Sequence, residues 1–489
     1  VNVLKTNRHF ADFGLLSPVV LIGGLLAIGL TGCMVGPKYQ QPAAPAPPAF
    51  KEDAGWIPAQ PADTLVRGKW WQVYNDPELN TLEEKINVSN QSLKAALEAY
   101  QSAHQQVKIQ RADLFPTLGV SPSASRVQES LHRPLFSPVA GSSLYNDFQI
   151  TGSASWEPDL WGRIRHMVEA SRTTSQATAA DLETMSLSLH AELASDYFEL
   201  RGLDLQKQLL DSTVVAFQKS VELTRSRFKG GLASASDLAL AQTQLDTTRA
   251  QDIDVGVARA QFEHAIATLT GEPASSFSLP PAPLAALPPT IPVGLPSQLL
   301  QRRPDIAAAE RRVAAANEEI GIARSAYYPS VVLAGAGGVE STAIGTLIQG
   351  PSTLWSVGAS ASETIFDAGR RRATNLQAQA NYDQTVALYR QQVLQSFQDV
   401  EDNLAALRIF EAESAAQKDA VADAIRSEDL SVIRYKGGLA TYLEVITTQS
   451  TALANERTLA TLQTERMAAS VLLVKAIGGT WDTSQLPHN

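Results

Sequence analysis

The chain has 489 residues, 44% of them hydrophobic and 18% charged, with a formal net charge of -10. Length and apolar content suffice for about three ordinary domains, while the acidic balance and the scattered Lys and Arg give nucleic acid no electrostatic footprint. The single cysteine, Cys33, excludes an intramolecular disulfide.

Lys5, Arg8 and His9 precede an apolar run from Leu15 to Leu30, so residues 1–32 read as a signal peptide, too short and too early to be the working membrane span. The run closes on Leu30-Thr-Gly-Cys33, which resembles a bacterial lipobox; that implies a diacylated Cys33 at the head of the mature chain. A buried structural cysteine is the alternative. Met34 in place of Asp implies, in lipoproteins, onward sorting to the outer membrane. Residues 33–69 carry Pro42, Pro45, Pro47, Pro48, Pro58 and Pro61 and read as an extended tether. Trp70-Trp71 then leads to Asp76-Pro77, a helix cap followed by proline at the first helical position.

A helix is expected from Pro77 to Leu114, stopping at Phe115-Pro116. Two alternating stretches follow within 117–156; in the second, Phe148, Ile150, Gly152, Ala154 and Trp156 share one face and Asp147, Gln149, Thr151, Ser153 and Ser155 the other. The polar face lies toward solvent in a soluble sandwich or toward the lumen of a membrane barrel. The barrel is favoured because no second sheet is available to cover the apolar face. Trp156 and Trp161 then fit an interfacial girdle or, alternatively, core packing. Asp159 to Arg227 contains no proline, and about 65 residues at 1.5 Å each make a helix on the order of 100 Å long. Its apolar seam (Leu189, Leu193, Leu203, Leu210, Val214, Phe217, Val221), interrupted by Asp196 and Lys207, repeats in sevens, the mark of supercoiling.

Arg227-Phe-Lys-Gly-Gly-Leu-Ala-Ser-Ala-Ser-Asp-Leu238 returns 207 residues later as Arg434-Tyr-Lys-Gly-Gly-Leu-Ala-Thr-Tyr-Leu-Glu-Val445. The chain therefore reads as an internal two-fold repeat: 70–270, a Pro-rich connector 271–304, 305–478 with strands about 330–362, and a tail 479–489. Each copy of the motif reads as a tight turn between two antiparallel helices. Gly230-Gly231 and Gly437-Gly438 supply the positive φ, and Ser234 or Ser236, and Thr441, cap the next helix. The second long helix is expected from Asp367 to Arg434 and the last from Thr441 to Ile477. Pro116 and Pro329 stand six residues further apart than the general offset, so the first hairpin is expected to have the longer loop.

No catalytic set emerges. His104, His132, His166, His190 and His264 read as solitary, no metal-ligand spacing or phosphate loop is present, and Glu157 and Asp159 read as solvated rim charges. Neither an enzyme nor a cofactor is expected.

Several segments in this order resemble outer-membrane channels of the TolC type, and among them the NodT-like lipoproteins of efflux systems. They are Leu30–Cys33 with Val35-Gly-Pro-Lys-Tyr-Gln-Gln-Pro42, Trp70-Trp71 with Asp76-Pro77, Trp156-Glu-Pro-Asp-Leu-Trp-Gly-Arg163, Leu295–Ile306 with Ala309-Glu310, and both Gly-Gly-Leu-Ala tips. The resemblance implies a mainly α homotrimer, with long coiled helices forming a periplasmic α-barrel and four strands per protomer in a shared twelve-stranded transmembrane β-barrel. It implies docking through the tips (Phe228, Gly230, Gly231, Leu232, Tyr435, Gly437, Gly438, Leu439) onto a periplasmic adaptor that links to an inner-membrane RND transporter, in a system for drugs or other small molecules. Metal-ion efflux or type I secretion is the alternative in the same architecture, and a lipid-anchored periplasmic coiled-coil scaffold the alternative from another class. At the pore mouth the family's tyrosine is matched by Tyr435, whose hydroxyl is expected to bond across to a neighbouring helix, but Ala440 stands where its arginine would be, leaving Arg434 as substitute. Asp237 and Glu444 read as helix-dipole partners, and the resemblance implies that they also form a cation-attracting ring at the entrance.

Overall fold

The structure, a computed structural model, describes residues 34–44, 47–52, 69–130, 144–289, 291 and 301–487. Cys33 and the signal peptide lie outside the described residues, as do 53–68 of the tether, 131–143 of the first hairpin loop and 292–300 of the connector.

Helix α1 (Pro77–Ser89) starts as expected: the Asp76 carboxylate accepts from the amides of Glu78 and Leu79 at 2.9 and 3.1 Å, and Pro77 opens the first turn. The single helix expected to reach Leu114 is instead two, because α2 (Gln91–Ala112) begins after a break at Asn90. There ψ is 123°, Oδ1 accepts from the Leu93 amide at 2.9 Å, and Nδ2 donates to the Leu269 carbonyl at 2.8 Å. A short amide side chain that satisfies backbone groups on both sides competes successfully with the helix.

Strands β1 (Thr117–Gln128), β2 (Leu144–Trp156), β3 (Ser330–Ser341) and β4 (Thr353–Ser362) form one antiparallel sheet in chain order. Residues 129–143 separate β1 from β2 and 342–352 separate β3 from β4, so the first spacing is the longer, as the proline offset predicts. The register aligns Val120 with Gly152, Gly152 with Gly337 and Gly337 with Trp355, which gathers Leu118, Val120, Phe148, Ile150, Leu333, Trp355 and Val357 on one face. The serines of β1, β2 and β4 share the other face with Asp147 and Gln149. Trp355 is 80% exposed and Val357 82%, and Leu118 and Val120 are exposed as well, so among the described residues most of the apolar face is left uncovered. Trp156 donates to the Leu114 carbonyl at 3.0 Å, and Trp161 donates to the Pro329 carbonyl at 2.8 Å while stacking on Tyr328.

The long helices α3 (Arg163–Lys229) and α6 (Arg370–Lys436) have 67 residues each, and the helices after the tips, α4 (Ala235–Leu269) and α7 (Tyr442–Ala476), have 35 each. Before β3 lies α5 (Pro304–Ser325), equal to α2 at 22 residues. Glu157 and Asp159 are not loose rim charges: Glu157 pairs with Arg163 at 2.8 Å, and the buried Asp159 carboxylate accepts from the Ile164 and Arg165 amides, capping α3 after Gly162 at φ +80°.

The chain clusters into two compact units, each using segments from both sequence halves. Of the described residues, the first comprises those within 34–41, 103–174 and 313–385 and holds the sheet; the second comprises those within 42–102, 175–312 and 386–487. In the second, Leu210, Phe217 and Val221 of α3 pack with Ala241, Leu245 and Val255 of α4, Tyr435 of α6, and Tyr442, Val445 and Leu453 of α7. Of the expected interruptions in the seam, Lys207 reaches Asp211 and Asp252 at 2.5 and 2.8 Å. Asp196 is held up at a pKa of about 6 by burial first and by Glu192 and Glu199 next. A carboxyl whose native pKa is raised is tolerated when protonated, below about 4, and costs stability once pH has risen through about 6. Asp196→Asn is therefore expected to raise the unfolding temperature at about pH 8 and to leave it unchanged near pH 3.5; equal gains at both pH values would refute the charge as the cause.

Two of the histidines read as solitary have carboxylate partners distant in sequence. His190 Nδ1 lies 2.6 Å from Glu83 and its ring stacks on Trp71 at 4.4 Å; His166 Nδ1 lies 2.6 Å from Glu318. Burial lowers His190 to about 4 and pushes Glu83 well up. The connector is clamped as well. Buried Asp204 accepts from Arg201, Arg259 and the Ala282 amide, and these two arginines donate to the carbonyls of Pro280 and Leu279. The tether also docks within this unit: Phe50 is buried, the Lys51 and Glu52 amides donate to the Glu401 carboxylate, and Arg408 pairs with Glu52.

Candidate functional site

The two tips are built by the same backbone rule. At the end of α3 the Gly231 amide donates to the Phe228 carbonyl at 3.0 Å and the Leu232 amide to the Arg227 carbonyl at 2.8 Å. At the end of α6 the Gly438 amide donates to the Tyr435 carbonyl at 3.0 Å and the Leu439 amide to the Arg434 carbonyl at 2.8 Å. This C-cap requires a left-handed residue, and Gly231 and Gly438 take φ +71° and +74°. The turns push Leu232 and Leu439 outward to 72% and 76% exposure, and Phe228 is also exposed. Two leucines at matched positions are thus left with their apolar side chains open to solvent.

The helices after the tips are capped differently. Ser234, rather than Ser236, makes a capping box: its hydroxyl accepts from the Asp237 amide at 3.1 Å while the Asp237 carboxylate accepts from the Ser234 amide at 2.9 Å. Thr441 stands at the N-cap of α7 but its side chain makes no cap bond, a correction to the expectation. Glu444, at the position matching Asp237, takes the Arg434 guanidinium at 2.9 Å.

Tyr435 belongs to the interior rather than to the docking surface. It is 5% exposed, meets Tyr442 edge-on at 5.2 Å, and its hydroxyl has no hydrogen-bond partner within the chain among the described residues. The cross-tip link expected of that hydroxyl is made by Arg227 instead. Its guanidinium lies 4.8 Å over the Tyr435 ring and donates to the Lys436 carbonyl at 3.0 Å, joining the end of α3 to the end of α6. Sequence reasoning names Arg434 and misses Arg227, although both open the same repeated motif. Among the described residues no three His, Cys, Asp or Glu side chains cluster as a metal site, and no helix is long and apolar enough to cross a membrane.

Helices of 67 residues ending in paired exposed turns, together with a sheet whose apolar face is largely exposed, fit a membrane-associated structural component better than a chemical site. The chain belongs to the outer membrane efflux protein family, whose profile matches residues 82–272 and again 295–479. It is similar to a toluene efflux pump outer membrane protein of Pseudomonas putida, TtgF, 32% identical over 476 residues that cover 94% of this chain and 96% of that protein. It is also similar to the outer membrane protein OprJ of Pseudomonas aeruginosa, 30% identical over 94% of this chain and 95% of that one. Among solved structures, the outer-membrane channel OprN superposes with a TM-score of 0.85 at 28% identity, covering 92% of this chain and all of that one. The protein is an outer-membrane efflux channel component; it conducts and does not catalyse.

Proposed function

We propose that the protein is the passive exit duct of a tripartite pump, a lipid-anchored homotrimer whose twelve strands close one barrel and whose tips dock on a periplasmic adaptor serving an RND-type transporter. The observation that carries the barrel is the four-stranded sheet, with β1 and β4 at its edges and with an apolar face that is largely exposed among the described residues. Four strands are too few to close, and open edges do not persist in lipid. Three copies supply twelve, an even number within the range of outer-membrane barrels. The two profile matches and the paired helix lengths support an origin of the halves by duplication. The names of relatives associated with toluene, antibiotic and solvent efflux favour small, largely apolar substrates over metal ions.

Heat-modifiable migration of a trimer together with conductance in a planar bilayer tests this reading. A soluble, non-conducting trimer would turn the assignment to a periplasmic scaffold. The lipid anchor is tested separately by mass spectrometry of the mature N-terminus, which is expected to show an acylated Cys33. An unmodified cysteine, or a mature start elsewhere, removes it. Because the barrel is itself an anchor, Cys33→Ser is expected to keep part of the efflux activity, whereas a single acyl chain alone would hold only marginally.

A further inference from the structure

Two of the segments that carry the family resemblance, Val35–Pro42 and Trp156–Arg163, are far apart in sequence, and nothing in the duct reading uses them. In the structure they meet. The Val35 amide donates to the Trp161 carbonyl at 3.1 Å, and the Asn317 amide group donates to the Pro37 carbonyl at 3.0 Å. Three glycines make the approach possible. A Cβ on Gly162, at φ +80°, would lie 2.7 Å from Met34 Cγ; one on Gly36 would lie 2.9 Å from Gly321 Cα; one on Gly321 would lie 2.5 Å from the His166 ring. Gly321 sits inside α5, where glycine costs about 0.5–1 kcal/mol relative to alanine, so the close contact accounts for a residue the helix itself disfavours. Beneath it the buried His166 is fixed by Glu318 at 2.6 Å, and its Nε2, without a hydrogen-bond partner among the described residues, faces Gly36 and Gly321.

The carbonyl that holds Val35 belongs to a residue already pinned to the sheet. Trp161 donates to Pro329, the residue before β3, and stacks on Tyr328 at 4.8 Å. We propose that Trp161, Gly162, His166, Asn317 and Gly321 form a docking cradle for the segment Met34–Pro37. Its task is to hold the attachment point of the lipid at the foot of the sheet, so that lipid and strands enter the membrane as one mechanical unit. Cys33 is one peptide from Met34, about 3.8 Å between Cα atoms, so fixing Met34 fixes where the acyl chains begin. What the segment carries rests on the lipid-anchor reading; the docking itself does not.

Trypsin cleavage after the exposed Lys38 reads the docking directly, because a held segment must open before it enters a protease, and cleavage follows the open population. In purified channel, release of a body starting at Tyr39 is expected about tenfold faster in Gly36→Val and in Gly321→Val than in the unaltered protein, with the heat-modifiable trimer intact in all three. Should Gly321→Val fail to assemble, Gly36→Val decides, since its added side chain sits on the segment and leaves the body unchanged. Equal cleavage rates in the assembled proteins overturn the cradle. Mass analysis of uncut protein keeps the two readings apart: an unmodified Cys33 with the rate difference preserved removes the lipid and leaves the docking.

Discussion

Replacing Gly231 and Gly438 together with phenylalanine is expected to abolish efflux in cells while the trimer still assembles and reaches the outer membrane. Both glycines have φ above +70°, and nothing lies within 4 Å of the Cβ that either would gain. The change therefore meets no steric block inside the protomer. It imposes a left-handed conformation on an L-residue, costing roughly 1–2 kcal/mol per site, and places a ring beside Leu232 and Leu439 where the adaptor is expected to sit. About 2–4 kcal/mol spread over a tip that melts locally is small beside the core of Phe217, Val221, Leu245 and Val445 behind it. Drug susceptibility rising to the level of a deletion, with normal heat-modifiable migration, is the expected pair of readings. The asparagine pair separates the two causes, because asparagine tolerates the left-handed region. Efflux restored by asparagine points to turn geometry, while loss with both points to crowding of the docking surface. Unchanged susceptibility in the phenylalanine pair would remove the tips from docking.

The tips are legible in the sequence because everything that makes them is local. The Gly-Gly pair, the serine that caps and the acid three residues on lie within one short window, and the Gly-Gly turn with its following acid occurs twice. Asp76-Pro77 is legible for the same reason. What is illegible depends on partners brought close only by folding. The break at Asn90 is secured by the Leu269 carbonyl, and nothing in Ser89-Asn90-Gln91 distinguishes it from a polar helix turn. His190 and His166 look alone in the sequence because Glu83 and Glu318 lie 107 and 152 residues away. The described tether residues 34–44 and 47–52 form neither helix nor strand, in keeping with Pro42, Pro47 and Pro48, but the docking on Glu401 and Arg408 is written in α6 rather than in those prolines. Arg227 escapes notice because its significance lies in a carbonyl of the other tip.

Cutting the Arg227 link is expected to loosen the closed state of the periplasmic mouth. The guanidinium contributes a charge-assisted bond to the Lys436 carbonyl and a contact over the Tyr435 ring. Such a bond is worth about 1.5–3 kcal/mol and an exposed cation–π contact about 0.5–1, with solvent reducing the sum. If about 2 kcal/mol of this favours the closed state, Arg227→Ala shifts the open-to-closed ratio about thirtyfold, and single-channel recordings should show longer openings. Arg227→Lys should recover part of the effect through charge without the planar contact. Ion preference divides differently between the two acids. The Asp237 carboxylate accepts from its own cap and has no ion-pair partner among the described residues, so its charge is expected to act at the mouth, whereas Glu444 is already matched by Arg434 at 2.9 Å. Asp237→Asn is therefore expected to reduce cation preference, read as a reversal-potential shift in a salt gradient. Glu444→Gln frees Arg434 and should move the potential at least as far in the same direction, because a compensated pair becomes a net positive charge. An unchanged reversal potential in both variants would leave the two carboxylates as local partners of the helix ends, and unchanged open times in Arg227→Ala would place the closing contacts elsewhere.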